Sequence, residues 1–123
     1  MKCRRQRAKE RNRDFLNSIP IDNFPEWVAV AAFYTAVHLI EKLRAAVGDG
    51  HSTSHEDRLD YVQHRCPHEI HSAYHVLQNV SLLARYQSVG DFYAQFQPED
   101  VQREIVDDRL VRIEQHVSGS RST

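Results

Sequence analysis

The sequence predicts an all-α fold, an up-and-down bundle of four main helices plus one short helix. Three observations carry that prediction. Apolar residues recur at three- and four-residue intervals along the longer stretches, the spacing that builds one face of a helix. Four Gly and four Pro in 123 residues are too few for the many turns of a β-sandwich, and they fall mainly between the periodic stretches. A hydrophobic share of 41% with 27% charged residues is ordinary globular usage, which argues against a disordered or fibrous chain. The length suits a single domain over residues 1–123 with one modest core, and residues 1–3 and 118–123 are expected to fray.

Residues 4–17 lack Gly and Pro and are rich in Arg, Gln, Lys and Glu, so a first helix should end near Asn17 and Ser18. Pro20 and Pro25 frame a connection, with Asn23 placed as an N-cap and Pro25 as an early helical residue. The second helix should run to about Val47, where Gly48 and Gly50 stop it. It is apolar nearly all round and is therefore expected at the centre. After a polar loop, Ser52, Thr53 or Ser54 caps a short third helix carrying Leu59, Tyr61 and Val62. Between Pro67 and Tyr86, Ile70, Tyr74, Leu77, Val80 and Ala84 mark an amphipathic fourth helix. Gly90 ends it, and Asp91–Gln97 is expected to be a packed loop. A last helix starts at Pro98 and buries Val106, Leu110, Ile113 and Val117.

Charge is uneven along the chain. Residues 1–13 hold seven Lys or Arg against one Glu, a balance of +6; with a net charge of -1, the remainder carries -7. Such a basic arm suits contact with RNA, and it equally suits the solvated face of a first helix. The apolar run from Trp27 to Ile40 is interrupted by Tyr34, Thr35 and His38, and it is shorter than the roughly 20 residues that span a bilayer. No membrane association is expected. Basic N-terminal residues are not followed by an apolar segment with a cleavage site, and Cys3 and Cys66 show no paired spacing, so a cytoplasmic location with free thiols is expected.

Several short pieces in order carry a family resemblance: Pro25-Glu26-Trp27 opening helix two, Ala32 to His38 reading AFYTAVH, His55 to Arg58 reading HEDR, then Tyr74, Leu77, Ser81 and Ala84-Arg85-Tyr86. Over roughly Pro25 to Tyr86 the chain resembles the small bacterial HEPN-domain proteins. The resemblance implies a HEPN-like bundle that forms a homodimer, in a toxin-antitoxin or defence context. It implies either binding or metal-independent cleavage of RNA or a nucleotide, or a noncatalytic interaction module that partners a nucleotidyltransferase or antitoxin. Ribonucleases of this superfamily carry an Arg and a His four to six residues apart on a helix, paired across the dimer. Arg stabilises the anionic transition state and His moves a proton, chemistry that requires no metal and no cofactor.

Arg109 with His116 and Arg58 with His64 satisfy that loose spacing, although Leu110 and Leu59 stand where the family commonly has a polar Asn. Arg109 and His116 are candidate catalytic residues, against the alternative of a solvent-facing pair beside Leu110. His55 and Arg58 form a second candidate, three residues apart where helical N–H groups favour anions. With His38, Ser81, Arg85 and Tyr86 they offer donors suited to phosphate or nucleotide binding. The competing reading of that set is an internal polar network, with Arg58 and Arg85 answering Glu56, Asp57 or Glu41. His38 itself reads either as a satisfied core histidine held by Tyr34 or Tyr74, or as a cleft residue. His71 and His75, four apart and close to His68, outline a metal site, but without a third ligand of settled placement a surface histidine cluster is expected and no metal.

Overall fold

In a computed structural model of the protein, residues 4–121 are described, with side chains over 11–119. The described chain is an all-helical, up-and-down bundle. α1 spans Arg4–Ser18, α2 Pro25–Ala46, α3 His55–Arg65, α4 His68–Tyr86 and α5 Val89–Gln95. The final rod begins with α6, Pro98–Asp100, passes through a π-helical stretch, Val101–Leu110, and ends as α7, Val111–Arg121. None of the described helices is long and apolar enough to cross a membrane.

α2 is the central helix, as its apolar circumference requires: it packs against α1, α4, the π-helical stretch and α7. Phe33, Leu39 and Ile40 of α2 meet Tyr74 and Leu77 of α4 and Ile113 of α7 in one core, all almost wholly buried. Each buried aliphatic side chain of this kind contributes roughly 1.5–3 kcal/mol relative to exposure. The end of α2 is fixed by its backbone. Gly48 adopts φ 83°, and the N–H groups of Gly48 and Asp49 return to the carbonyls of Ala45 and Arg44, a Schellman closure that a left-handed residue permits.

Two local expectations are corrected, and the last rod adds detail to the helix expected there. The residue preceding α2 at its N-cap position is Phe24 rather than Asn23, and no side chain caps the helix; Pro25 at its start lacks an N–H to satisfy. Residues 91–97 are not a loop, because Ser88 accepts a hydrogen bond from the Asp91 N–H and opens α5, and Phe92 stacks against Phe96 one turn later at 5.3 Å. α5 holds the α1–α2 connection through Tyr93, whose hydroxyl donates to the Asn23 carbonyl at 2.9 Å. The last rod is π-helical in its first half, where buried Val101, Ile105, Val106 and Leu110 repeat at four- and five-residue intervals; an i→i+5 ladder puts these on one face. α7 runs to Arg121; the expectations for residues 1–3 and 122–123 lie outside the described residues.

Candidate functional site

Trp27, Tyr34 and His38 lie on the outer side of α2, and all three are exposed. His38 is therefore not a core histidine. Four residues after Tyr34 and three before Glu41, it shares their side of the helix. We expect His38→Ala to change the unfolding free energy by less than about 0.5 kcal/mol, the usual range for an open surface site. A chemical denaturation series would check this, and a loss above about 2 kcal/mol would show that the ring packs or bonds inside the bundle.

Beside that strip, α2, the loop after it and α3 are joined by charged side chains. Glu41 accepts from Arg58 Nε at 2.8 Å with one carboxylate oxygen and from the Ser52 N–H at 3.1 Å with the other. Arg44, one turn further, donates to Ser52 Oγ at 3.0 Å, to Asp57 at 3.2 Å and to the Asp49 carbonyl at 3.1 Å, and lies over the Tyr61 ring. Tyr61 donates to Asp49. Ser54, rather than Ser52 or Thr53, caps α3 by accepting from the Asp57 N–H. Ser52 is thereby left to bridge the loop to Arg44 and Glu41.

The titration of this cluster follows its geometry. Burial pushes the Glu41 carboxyl upward, but the two hydrogen bonds from Ser52 and the Arg58 cation outweigh it, so its pKa is lowered. The Asp57 carboxyl is also lowered, by the Thr53 N–H first, with burial opposing and Arg44 assisting. For Arg58, burial opposes the charge, yet Glu41 and Tyr74 hold the guanidinium and raise its pKa. Burial raises the Tyr74 hydroxyl, against the pull of Arg58 beside it; its geometry there falls short of a regular hydrogen bond.

Arg58 also reaches His55, Nη1 to Nδ1 at 3.0 Å. A guanidinium has no acceptor, so in this contact His55 Nδ1 accepts. While that contact is made, Nδ1 is not free to take a proton from a hydroxyl. The His55 ring stands 6.2 Å from Phe33, which in turn touches Tyr34 and Tyr74. Arg85 donates to Tyr34 Oη at 3.2 Å and to the Ser81 carbonyl at 3.4 Å, and its guanidinium lies over Tyr34 and Tyr86. Tyr86 is 78% exposed. Ser81 is fully buried, and its hydroxyl has no hydrogen-bond partner among the described residues.

The sequence-derived set is thus divided. His55 and Arg58 sit in the α2–α3 network; Arg85, Tyr86 and the Ser81 backbone sit at the end of α4; Phe33 and Tyr34 link the two. None of the family models matches the chain, and no curated protein or solved structure matches it either.

Arg109 and His116 are placed apart from both groups. Arg109 donates to the Glu104 carbonyl at 2.9 Å and lines a hollow of about 230 Å³ with His68, Glu69, Ser72 and Arg112. His116 lines the adjoining hollow with Glu69, Asp107 and Gln115. Seven residues span roughly 10 Å along a helix, and Asp108 together with Glu69 meets the intervening Arg112. Within one copy the pair does not converge. His64 meets Asp60 at 3.1 Å rather than Arg58. The rings of His68, His71 and His75 follow one another along α4, at 6.4 and 6.0 Å, and burial with the two neighbouring rings lowers the His71 pKa. Among the described residues, no three His, Cys, Asp or Glu side chains converge to hold a metal ion.

Sequence reasoning named Glu41 and Asp57 only as possible answers to arginine, and it missed Arg44, Asp49, Ser52 and Phe33 as members of the network. A signal existed in the spacing Glu41-x-x-Arg44 at the end of a helix, opposite Asp57-Arg58 at the start of the next.

Proposed function

We propose that the chain is a HEPN-like, noncatalytic interaction module, of the kind that partners a nucleotidyltransferase in a toxin-antitoxin or defence system. The observation that carries this reading is Arg58, whose charge is answered by Glu41 at 2.8 Å and which also donates to His55. A nuclease arginine must be free to meet a phosphate in the transition state, and its histidine must be free to move a proton. Arg109 is better placed for phosphate, but carboxylates of Glu69 and Asp108 share its hollow. Like charge next to an incoming phosphate works against binding there.

The test is incubation of the purified chain with labelled mixed-sequence RNA in EDTA, beside Arg58→Ala and Arg109→Ala. We expect intact RNA in all three lanes. Cleavage by the unaltered chain that disappears in one variant would overturn the reading and choose the catalytic arginine.

Binding of RNA or a nucleotide without cleavage is a second reading, favoured by Arg85 set against the Tyr34 and Tyr86 rings. An exposed ring beside a guanidinium can stack a base, a contact of roughly 1–3 kcal/mol, while the cation meets its phosphate. On this reading Tyr86→Ala weakens retention of a short single-stranded RNA by at least about fivefold in a gel-shift titration. Equal binding by both proteins would remove this site.

A further inference from the structure

A groove of about 580 Å³ opens between the second half of α1, the connection after it and the outer side of α2. Its floor and walls include Phe15, Ile19, Phe24, Trp27, Val30 and Tyr34, and no residue lining it is charged. That volume lies within the roughly 300–1,000 Å³ of sites that hold small molecules. With a whole aromatic side chain taken as roughly 150–250 Å², the exposed parts of Phe15, Phe24, Trp27 and Tyr34 amount to on the order of 400 Å². This is about half of what each partner of a stable protein complex buries, so the groove suits a ligand smaller than a protein.

A cation at one end of the groove decides the chemistry of that ligand. Tyr34 is the last α2 residue of the lining, and its hydroxyl accepts from Arg85 Nη1 at 3.2 Å. Arg85 is exposed; its other hydrogen bond goes to the Ser81 carbonyl and its guanidinium lies over two rings, so among the described residues no carboxylate answers it. The Tyr34 O–H is likewise given to no acceptor among them. A guanidinium N–H beside a phenol O–H makes two donors for one carboxylate. On the α1 side, exposed Arg11 and Asp14 flank Asn12 and Phe15 with opposite charges, so an anionic head is favoured at the Arg85 end. The lining decides the rest of the ligand. From Trp27 to Tyr34 the groove runs roughly 10 Å along α2, and Asn12, Ser18 and Tyr34 are its polar residues. A nucleobase or a peptide backbone would leave most of its own donors and acceptors unpaired there, whereas an acyl chain has none to satisfy.

We propose that the groove binds a fatty-acid-like monocarboxylate, its acyl chain lying against Phe15 and Trp27 and its carboxylate taking donors from Tyr34 and Arg85. This site does not rest on the noncatalytic reading, because RNA cleavage and ligand binding are measured separately. It shares Arg85 and Tyr34 with the stacking of a base, and an RNA probe separates the two.

The test titrates the full chain with decanoate and, separately, with uncharged decanol, reading tryptophan emission and the heat of binding. Trp27 is the single Trp of the sequence, so the emission reports this groove. The expected result with decanoate is emission moving to shorter wavelength and saturating below about 1 mM. Arg85→Gln should weaken decanoate by at least about fivefold, the loss of a charge-assisted contact, and leave decanol unchanged. Phe15→Glu, which sets a carboxylate beside the acyl chain, should weaken both by at least about tenfold. Val47→Glu, on an exposed apolar residue outside the groove, should change neither, and circular dichroism should show all three variants folded. No response to decanoate, or decanoate binding indifferent to Arg85→Gln or to Phe15→Glu, overturns the proposal. Emission that responds to a short single-stranded RNA and not to decanoate overturns it as well, and returns Arg85 and Tyr34 to the stacking of a base.

Discussion

Phe33→Ala should lower the unfolding free energy by about 3–5 kcal/mol. Phe33 is 1% exposed and lies on α2 where that helix faces α4; its ring is 5.7 Å from Tyr74 and 6.2 Å from His55. Removing it takes away the transfer free energy of a whole ring and leaves a cavity that two helices held by other contacts cannot close. A domain of this size has roughly 5–15 kcal/mol to lose, so the variant should melt about 10–20 °C lower, read by thermal circular dichroism. A shift under about 3 °C would mean that the bundle is not organised around the α2–α4 contact.

The second large effect concerns Glu41. Its loss strands the Arg58 guanidinium, whose side chain is only 12% exposed, and frees the Ser52 N–H. Breaking a fully buried pair by removing one partner costs about 3–5 kcal/mol; with both side chains still touching solvent, about 2–3 kcal/mol is expected for Glu41→Ala. The pH dependence follows from the sign of the shift. The folded-state pKa of Glu41 lies below its ordinary value of 4.5, so at acid pH the unfolded chain binds the proton first. The stability that Glu41 contributes is therefore complete above that ordinary value and is lost as pH falls through the lower, folded one. Asp57 shifts in the same direction. Urea midpoints measured from pH 6 down to about 3 should fall for the unaltered chain and fall less for Glu41→Ala. Parallel curves would show that the carboxylate makes no special contact in the folded state.

What the sequence discloses of this fold is what depends on period. α2, α4 and the last rod repeat apolar residues over many turns, and most residues the spacing singles out are buried: Ile70, Tyr74, Leu77 and Val80 on α4, where Ala84 is only half-buried, and Val106, Leu110, Ile113 and Val117 on the rod. α5 escapes because seven residues with a Gly in the first turn show no period, and only the pair Ser88 and Asp91 marks its start. The π-helical stretch escapes for a different reason. Its local pattern, 101, 105, 106 and 110, fits either ladder until the packing against α2 and α4 selects one.

The candidate site was legible in its residue types and not in its wiring. That His55 and Arg58 share one end of α3 follows from their spacing, and both prove to be neighbours. That Glu41 answers Arg58 depends on a contact between residues 17 apart, set by how the loop folds back through Ser52 and the Gly48 turn. His38 shows the limit most clearly. Lying on a helix apolar nearly all round, it reads equally as a core or a cleft residue, but with Trp27 and Tyr34 it faces outward, and the aromatic groove those two rings line is surface rather than core.

Whether Arg58 is part of the scaffold is measured directly by a double-mutant cycle on Glu41 and Arg58. Urea unfolding of Glu41→Ala, Arg58→Ala and the double variant at neutral pH supplies the three free energies needed. If the ion pair is structural, each single change destabilises the bundle, and the double change costs at least about 1 kcal/mol less than the sum, because neither charge is then left stranded. Losses that simply add, or an Arg58→Ala variant as stable as the unaltered chain, would contradict the account and return Arg58 to the residues available for a ligand.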